Sequence, residues 1–443
     1  MLVYAIHVTT RLQYILEFVC KELFHQNILI TKDQNEFNEY EGPKINYSLA
    51  RLSNDEFWIC NTDLLFETGL ETQNIHCFEI RGYKAFFKRE AGDFPFDILA
   101  ASFYLLSRYE EYLPHAKDKY GRYAHLNCLA HKEGFLHLPL INIWLLDFKK
   151  SLLQKYPGLK LSDQRFTYLP TYDIDIAWSY QNKGWLRNTG GLLRSIIQKD
   201  GFALRDRVQV LLKRKKDPFD PYDWLDTIHK YVQAEPIYFF LLAFERNKFD
   251  KNISPFDKEL QALIKYHDSI YLTGIHPSYY SQGSFQLLQQ EKRQLEHIVS
   301  HRIIHSRQHY LRFSIPLTYQ RLISAGIRRD YSMGYGTVNG FRASVASPFY
   351  WFDLEMEVST SLLIHPFCFM DANAYYQLKL SPGQALEQLV RFYNIIKEVN
   401  GLMITIWHNN FLGTDPVFAG WREVYEIFLK ETVAMGENPE GVI

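Results

Sequence analysis

The sequence predicts an α/β protein in two parts, a smaller α/β domain over residues 1–165 and a larger domain over 166–443. The length of 443 residues is typical of two or three domains. Hydrophobic residues make up 47 % of the chain and aromatic residues 16 %, which is enough to fill cores and excludes a disordered protein. After residue 166, apolar runs alternate with amphipathic segments, and this alternation favours parallel β/α units in a barrel or an open sheet.

The N-terminal part has a mixed pattern of strands and helices. The predicted elements are a strand over 2–8, a helix over 13–23, a hairpin between 47–51 and 50–61, and helices over 94–111 and 139–156. No catalytic constellation stands out here, and we expect the aromatic stretch 103–112 to pack against the second domain. Pro157-Gly158 and the polar residues 162–165 mark the predicted junction.

Strand and helix patterns alternate more regularly in the second part of the chain. Its predicted strands are 166–175, 236–244, 270–275, 310–315, 361–365 and 402–408. Its predicted helices include 255–266, 284–306, 316–326 and 381–400. Segment 181–225, which is basic and contains glycine, interrupts this alternation, and we expect it to cover one rim of the sheet.

Charge and cysteine content exclude several classes of protein. The net charge of −1 leaves no overall basic footprint for nucleic acid. The one basic cluster, 212–216, predicts a solvated helix end or loop, with contact to an anionic polymer or a membrane surface as the alternative. Five scattered cysteines without a C-x-x-C pair argue against a disulfide framework or a thiolate metal site. We recognise no signal peptide and no membrane-spanning run, and therefore expect a cytoplasmic protein.

Two acids at the end of the strand 166–175 are the first candidates for chemistry. Side chains at i and i+2 of a strand share a face, so Asp173 and Asp175 are expected roughly 7 Å apart along the chain. Two such charges are costly unless a cation or a shared proton relieves them. The alternative is a strand-end turn with two solvated aspartates.

Other predicted strands also end in potential ligands or acid/base groups. They are His276, His309 after Arg307, His365 with Asp371 beyond it, and His408. One aspartate and two histidines are a common ligand set for a catalytic Zn²⁺ that activates water. A second carboxylate can then act as a base, and a separate histidine as an acid.

The sequence over 166–443 resembles the polysaccharide deacetylases, the NodB-homology or carbohydrate esterase 4 family. The segment 171–175, TYDID, is similar to the family's T-F-D-D motif with one added residue; 274–278, GIHPS, resembles H-[ST]-x-x-H; and 404–408, ITIWH, resembles L-x-x-H. The resemblance implies a distorted (β/α) barrel that removes N- or O-acetyl groups from sugars. It also implies that Asp173 is the base, that Asp175 and His276 bind a divalent ion, with zinc expected, and that His408 is the acid.

The sequence departs from the family at the third metal ligand. Tyr280 stands where the motif's second histidine belongs, and the family's R-P-P-Y signature is absent. We expect His309, near the start of the following strand, to replace the missing ligand, with Tyr280 or water as the alternatives.

Four further residues are candidates for substrate binding, each with a structural alternative. Arg342 and Asp330 could orient the base or bind substrate, or could form a surface salt bridge and a turn cap. Tyr279 and Tyr280 could stack on a sugar, because a ring face packs on C–H groups, or could only close the loop.

The sequence therefore predicts a metal-dependent hydrolase that deacetylates a sugar or polysaccharide. One alternative is a non-catalytic carbohydrate-binding or scaffold protein that has kept a degenerate barrel. Another is a glycoside hydrolase that uses Asp173 with a distant carboxylate such as Asp371.

Overall fold

The computed structural model describes residues 1–24, 28–162 and 164–434, which form an α/β protein with a small and a large sheet. The predicted α/β class is thus confirmed. Residue 163 of the predicted junction and the end of the second domain, 435–443, lie outside the described residues.

The small sheet belongs to the N-terminal part. Its strands are β1 (Leu2–Ala5), β2 (Leu29–Thr31), β3 (Lys44–Tyr47) and β4 (Phe57–Ile59), in the order β2-β1-β3-β4 with every pair parallel. A separate antiparallel pair is formed by β5 (Phe78–Ile80) and β6 (Tyr83–Ala85). The helices are α1 (Thr10–Leu23), α2 (Gln34–Glu39), α3 (Ile98–Leu106), α4 (Tyr109–Tyr112), α5 (Leu129–Lys132) and α6 (Leu140–Lys155).

The hairpin predicted within 47–61 is wrong, because β3 and β4 run parallel. The chain returns through an irregular crossover that the buried side chain of Glu56 organises. This carboxylate accepts hydrogen bonds from the side chain of Asn46 at 2.8 Å and from the backbone of Leu52 at 2.9 Å. Apolar and polar residues alternate in that crossover as they do in a strand, although the crossover itself forms no strand.

The large sheet has nine strands. They are β7 (Thr167–Ile174), β8 (Ile237–Leu241), β9 (Leu272–His276), β10 (His305–Ser306), β11 (Arg329–Asp330), β12 (Phe349–Asp353), β13 (Val358–Ile364), β14 (Phe369–Met370) and β15 (Leu402–His408). Their order is β12-β13-β11-β10-β9-β8-β7-β15-β14, and only β12 and β13 pair antiparallel. Within the described ranges no pairing joins the two outermost strands, β12 and β14, and the distorted barrel remains a prediction.

Eight helices accompany this sheet in the described residues. They are α7 (Gly184–Ile197), α8 (Gly201–Leu211), α9 (Tyr222–Val232), α10 (Lys258–Asp268), α11 (Phe285–Val299), α12 (Leu317–Ser324), α13 (Pro382–Glu398) and α14 (Trp421–Ile427). None of the helices in the described ranges is long and apolar enough to cross a bilayer.

The strand predicted over 310–315 is wrong. The chain forms the two-residue strand β10 earlier and then a 3-10 turn at His309–Leu311. Leu311, Phe313 and Ile315 are buried in irregular backbone, and their spacing imitates a strand.

The two parts of the chain pack into each other. A single cluster of buried apolar residues extends through both. Phe103 of α3 meets Phe352 of β12 edge to face, with ring centroids 5.2 Å apart. The expectation that the aromatic stretch 103–112 packs against the second part is therefore confirmed.

Candidate active site

The candidate site lies at the carboxyl ends of neighbouring parallel strands. Strands β10, β9, β8, β7 and β15 are adjacent, and His408 of β15 pairs in register with Asp173 of β7. His276 ends β9, Asp175 follows directly after β7, and His309 lies three residues after the end of β10. Parallel strands bring their carboxyl ends to one edge, so residues far apart in the sequence meet there.

Asp175 is the centre of this group. Its Oδ1 lies 3.1 Å from Nε2 of His276, and its Oδ2 lies 3.3 Å from Nε2 of His309. Nε2 of His408 is 3.7 Å from the same Oδ2. One carboxylate thus faces three imidazoles, each through the same ring nitrogen.

Hydrogen bonds at the other ring nitrogen fix the orientation of the first two imidazoles. Nδ1 of His276 donates to the backbone carbonyl of Arg307 at 2.6 Å. Nδ1 of His309 faces Oδ1 of Asp250 at 2.9 Å. Because both partners are acceptors, Nδ1 of each ring carries a hydrogen, and Nε2 is the ring nitrogen that faces Asp175.

His408 is held in the same way by a different acid. Its Nδ1 donates to Oδ1 of Asp371 at 2.6 Å, and its backbone N–H donates to Oδ2 of Asp371 at 2.7 Å. Asp371 is fully buried. This two-point contact fixes the ring and leaves its Nε2 directed into the cleft.

Asp173 is held by an arginine. Nη1 of Arg307 donates to Oδ1 of Asp173 at 2.9 Å, while Nη2 donates to the hydroxyl of Thr171 at 2.7 Å. The guanidinium is completely buried. The second oxygen of Asp173, Oδ2, lies 3.8 Å from Nε2 of His276, on the side of the candidate metal ligands.

The electrostatics follow from this packing of acids against imidazoles. Burial opposes ionisation of Asp175, but the positive charge of His309 outweighs it and holds the pKa of Asp175 well below its usual range. Burial would lower the pKa of His309, yet Asp175 and Asp250 raise it to about 9. The pKa of His408 is raised to about 10, against burial, chiefly by Asp371.

The residues fit a divalent ion. One ligand atom each from Asp175, His276 and His309 lie within 4.8 Å of one another. Oδ1 of Asp175 is buried and has no hydrogen-bond partner, and two Nε2 atoms face its carboxylate. A divalent ion shared by these atoms would satisfy all of them. Two imidazoles and a carboxylate are a common donor set for zinc, which binds such ligands at about 2.0–2.2 Å.

A cleft of about 530 Å³ opens over these side chains. One wall comes from the N-terminal part, through Lys119, Tyr120 and Arg122. The remaining walls include Phe249, Lys251, Tyr310, Tyr376 and Phe411. Aromatic rings with polar tips next to a carboxylate–imidazole centre form a surface that can bind a sugar.

Two predicted substrate residues lie away from the cleft. Arg342 is buried and donates to Glu111, with Nε 2.8 Å from Oε1. Asp330 is fully buried and accepts from the hydroxyl of Ser306 at 2.8 Å and from the backbone of Ser332 at 2.9 Å. Both positions match the structural alternatives, an ion pair and a turn cap, although the ion pair is buried and not at the surface.

The predicted tyrosines also differ from expectation in their position. Tyr279 is buried and stacks on Phe249, with ring centroids 3.8 Å apart, and its backbone N–H donates to Asp250. Tyr280 is half exposed and, like Tyr279, does not line the cleft. Tyr280 therefore does not occupy the place of the missing histidine, whereas His309 lies beside Asp175.

Two contributions to the site were not predicted from the sequence. Asp250, which orients His309, lies in the loop after β8, where no motif marks it. The wall from the N-terminal part was also missed, although the loop 117–123 combines lysines, tyrosines and a glycine in a pattern typical of a binding loop.

Comparison with known proteins gives one match to a family model, and it lies in the N-terminal part of the chain. Residues 1–157 match a family model described as a family of unknown function, DUF7033. No curated protein matches the chain.

Solved structures similar to this chain include two polysaccharide deacetylases and an allantoinase. A putative polysaccharide deacetylase from Mycobacterium smegmatis has 12 % identity and a TM-score of 0.40, over 62 % of this chain and 87 % of its own. A polysaccharide deacetylase from Bacillus cereus has 11 % identity and a TM-score of 0.28, over 63 % and 89 %. Puue allantoinase has 10 % identity and a TM-score of 0.38, over 63 % and 92 %. Scores this low carry no argument about the activity of this chain.

Proposed function

We propose that this protein is a metal-dependent hydrolase that removes acetyl groups from a sugar or polysaccharide. The observation that carries the proposal is the convergence of Asp175, His276 and His309 ligand atoms within 4.8 Å. Asp173 and His408 flank this group and supply a base and an acid. Residues 166–443 would form the catalytic domain, and residues 1–165 a second domain that adds one wall of the cleft.

Asp175, His276 and His309 would hold the ion, which we propose to be zinc. When bound, it would polarise the acetyl carbonyl and make water beside it more acidic. The contacts of Asp250 and of the Arg307 carbonyl with the two Nδ1 atoms keep both imidazoles in the tautomer that binds metal.

Asp173 would take the proton from the attacking water. Arg307 occupies its Oδ1 and leaves Oδ2 free on the side of His276. A carboxylate held in one orientation beside the reacting water is what general base catalysis requires.

His408 would protonate the departing amine or alcohol. Asp371 holds Nδ1 and stabilises the imidazolium form, so Nε2 is the atom that can give a proton in the cleft. The same contact disfavours the glycoside hydrolase alternative. A buried Asp371 that is committed to His408 cannot face a glycosidic bond together with Asp173.

The proposal is tested by metal content and acetate release. After loading with Zn²⁺, the wild type is expected to hold one ion and to release acetate from acetylated oligosaccharides. Asp175→Ala should lose the ion. Asp173→Asn should keep it but lose activity, on the order of 10² to 10⁴-fold, as for removal of a general base. Asp223→Asn, at an exposed carboxylate of α9, is the matched control and should change neither.

Three outcomes would contradict the proposal. A protein that binds no divalent ion would exclude the mechanism. Bound ion without acetate release from any acetylated saccharide would favour the carbohydrate-binding or scaffold alternative. Cleavage of glycosidic bonds without acetate release would favour a glycoside hydrolase.

A further inference from the structure

The hairpin of α7 and α8 is an insertion at the active-site rim. It follows Asp175 and precedes α9. The two segments that connect the hairpin to the rest of the protein are held by hydrogen bonds. The carboxylate of Asp217 accepts backbone hydrogen bonds from Ser179 at 2.7 Å and from Tyr180 at 2.8 Å. The side chain of Asn409, next to His408, donates to the Phe219 carbonyl at 2.7 Å. The ends of the inserted hairpin are therefore fixed on the same rim as the candidate catalytic residues.

Helix α7 presents its apolar side chains to solvent. Trp185, Leu186, Leu193 and Ile197 are 74, 68, 61 and 79 % exposed. At 100° per residue these four side chains and Ile196 fall within one third of the helix circumference. The buried residues of the same helix are Asn188 and Ser195. A surface helix normally buries its apolar side chains and exposes its polar ones. An apolar partner outside the protein is therefore needed to cover the exposed apolar face of α7.

The hairpin that carries this apolar face is also rich in basic residues. Segment 183–216 contains ten Lys and Arg residues and two acidic residues, in a chain whose net charge is −1. Arg187 and Arg194 lie at one edge of the apolar face of α7. Neither has a carboxylate partner among residues 1–24, 28–162 and 164–434. The surface is thus both apolar and strongly positive.

We propose that this hairpin binds the surface of an anionic lipid bilayer. The apolar side chains of α7 would enter the interfacial region, with Trp185 at the headgroup level, where tryptophan is favoured. Phe202 of α8 and Leu212 after it, 59 and 57 % exposed, add to the apolar area. The basic residues would contact lipid phosphates, an attraction that salt weakens. Both properties of the surface are explained by one partner.

The test is co-sedimentation of the full chain with vesicles of phosphatidylcholine, with and without phosphatidylglycerol. Binding is expected only with phosphatidylglycerol, and it should decrease with salt. Arg187→Gln combined with Arg194→Gln should weaken binding on the order of 30-fold, since each basic residue near an anionic surface contributes roughly fivefold. Leu193→Ser combined with Ile197→Ser should weaken it at least as much, because buried apolar area is lost.

The control is Met356→Ser, which removes an equally exposed apolar side chain, 66 % exposed, in the turn between β12 and β13. It should bind vesicles as the wild type does. All variants are expected to keep the wild-type circular dichroism spectrum and metal content. The proposal is overturned if the wild type ignores anionic vesicles or if the hairpin variants bind equally well. It is also overturned if Leu193→Ser with Ile197→Ser only converts an oligomer into a monomer, because the face would then pair two copies of the chain.

Discussion

Replacing Glu111 by Gln is expected to destabilise the protein while leaving the chemistry of the cleft intact. Oε1 of Glu111 accepts from Nε of Arg342 at 2.8 Å and from Nε of Arg108 at 2.7 Å, and all three side chains are buried. Arg342 belongs to the second part of the chain, so the contact joins the two parts. Because the sequence predicted that Arg342 binds substrate, the substitution also separates a structural role from a binding role.

The structure gives the size of the destabilisation expected for Glu111→Gln. Burial alone would raise the pKa of Glu111, but Arg342 and Arg108 outweigh burial and lower it from its ordinary 4.5 to about 2. At about 1.36 kcal/mol per pKa unit, the ionised carboxylate stabilises the folded state by roughly 3 kcal/mol at neutral pH. Because the folded pKa lies below the unfolded one, this contribution is complete above the unfolded value and is lost as pH falls from 4.5 towards 2.

Urea unfolding of the wild type and of Glu111→Gln, followed at several pH values, measures this contribution. We expect a difference of about 3 kcal/mol at neutral pH that decreases by about half near pH 3. Glu426→Gln, which breaks the exposed pair with Lys430, is the control and should leave the unfolding free energy nearly unchanged. The reasoning would be refuted if Glu111→Gln left the unfolding free energy unchanged, or if Arg342→Lys raised KM for an acetylated oligosaccharide without changing stability.

Three further substitutions separate the roles of residues around the cleft. Arg307→Lys should lower kcat on the order of 10²-fold with bound metal unchanged, because lysine cannot fix the Asp173 carboxylate in one orientation; loss of metal would contradict this. Asp250→Ala should weaken metal affinity about 10 to 100-fold by releasing Nδ1 of His309, and excess Zn²⁺ should restore activity; an unchanged affinity, measured by competition with a chelator, would refute it. Tyr120→Ala should raise KM for an acetylated oligosaccharide but not for a small acetyl ester, and an equal effect on both substrates would argue against a sugar-binding wall.

The sequence predicts long buried strands well. A strand buried in a parallel sheet is a continuous apolar run, and the run 402–408 agrees with β15 at both ends. Strand β10 has only two residues, which is too short for a pattern to appear. His309 was expected near the start of a strand, but it follows the carboxyl end of β10. His309 nevertheless lies beside Asp175, although the strand that supported its prediction as a ligand does not exist.

Asp175 and His276 were accessible to sequence reasoning because each follows an apolar run, whereas the groups that orient the imidazoles were not. The Nδ1 partners of His276, His309 and His408 lie 31, 59 and 37 residues away in the chain. They are the backbone carbonyl of Arg307 and the carboxylates of Asp250 and Asp371, and no local pattern connects such pairs. Only the packed sheet reveals that all three imidazoles are held by the same nitrogen.

This shared arrangement distinguishes the site from a chance group of polar residues. Each imidazole has its Nδ1 satisfied by an acceptor and its Nε2 directed at one carboxylate, that of Asp175. In a purely structural network the carboxylate would accept hydrogen bonds from donors, yet its buried Oδ1 has none. The acids that raise the pKa of His309 to about 9 and of His408 to about 10 favour positive charge at this point, which protons or a divalent ion can supply. The convergence of the three Nε2 atoms on Asp175 is therefore the geometry on which our proposal of a bound divalent ion rests.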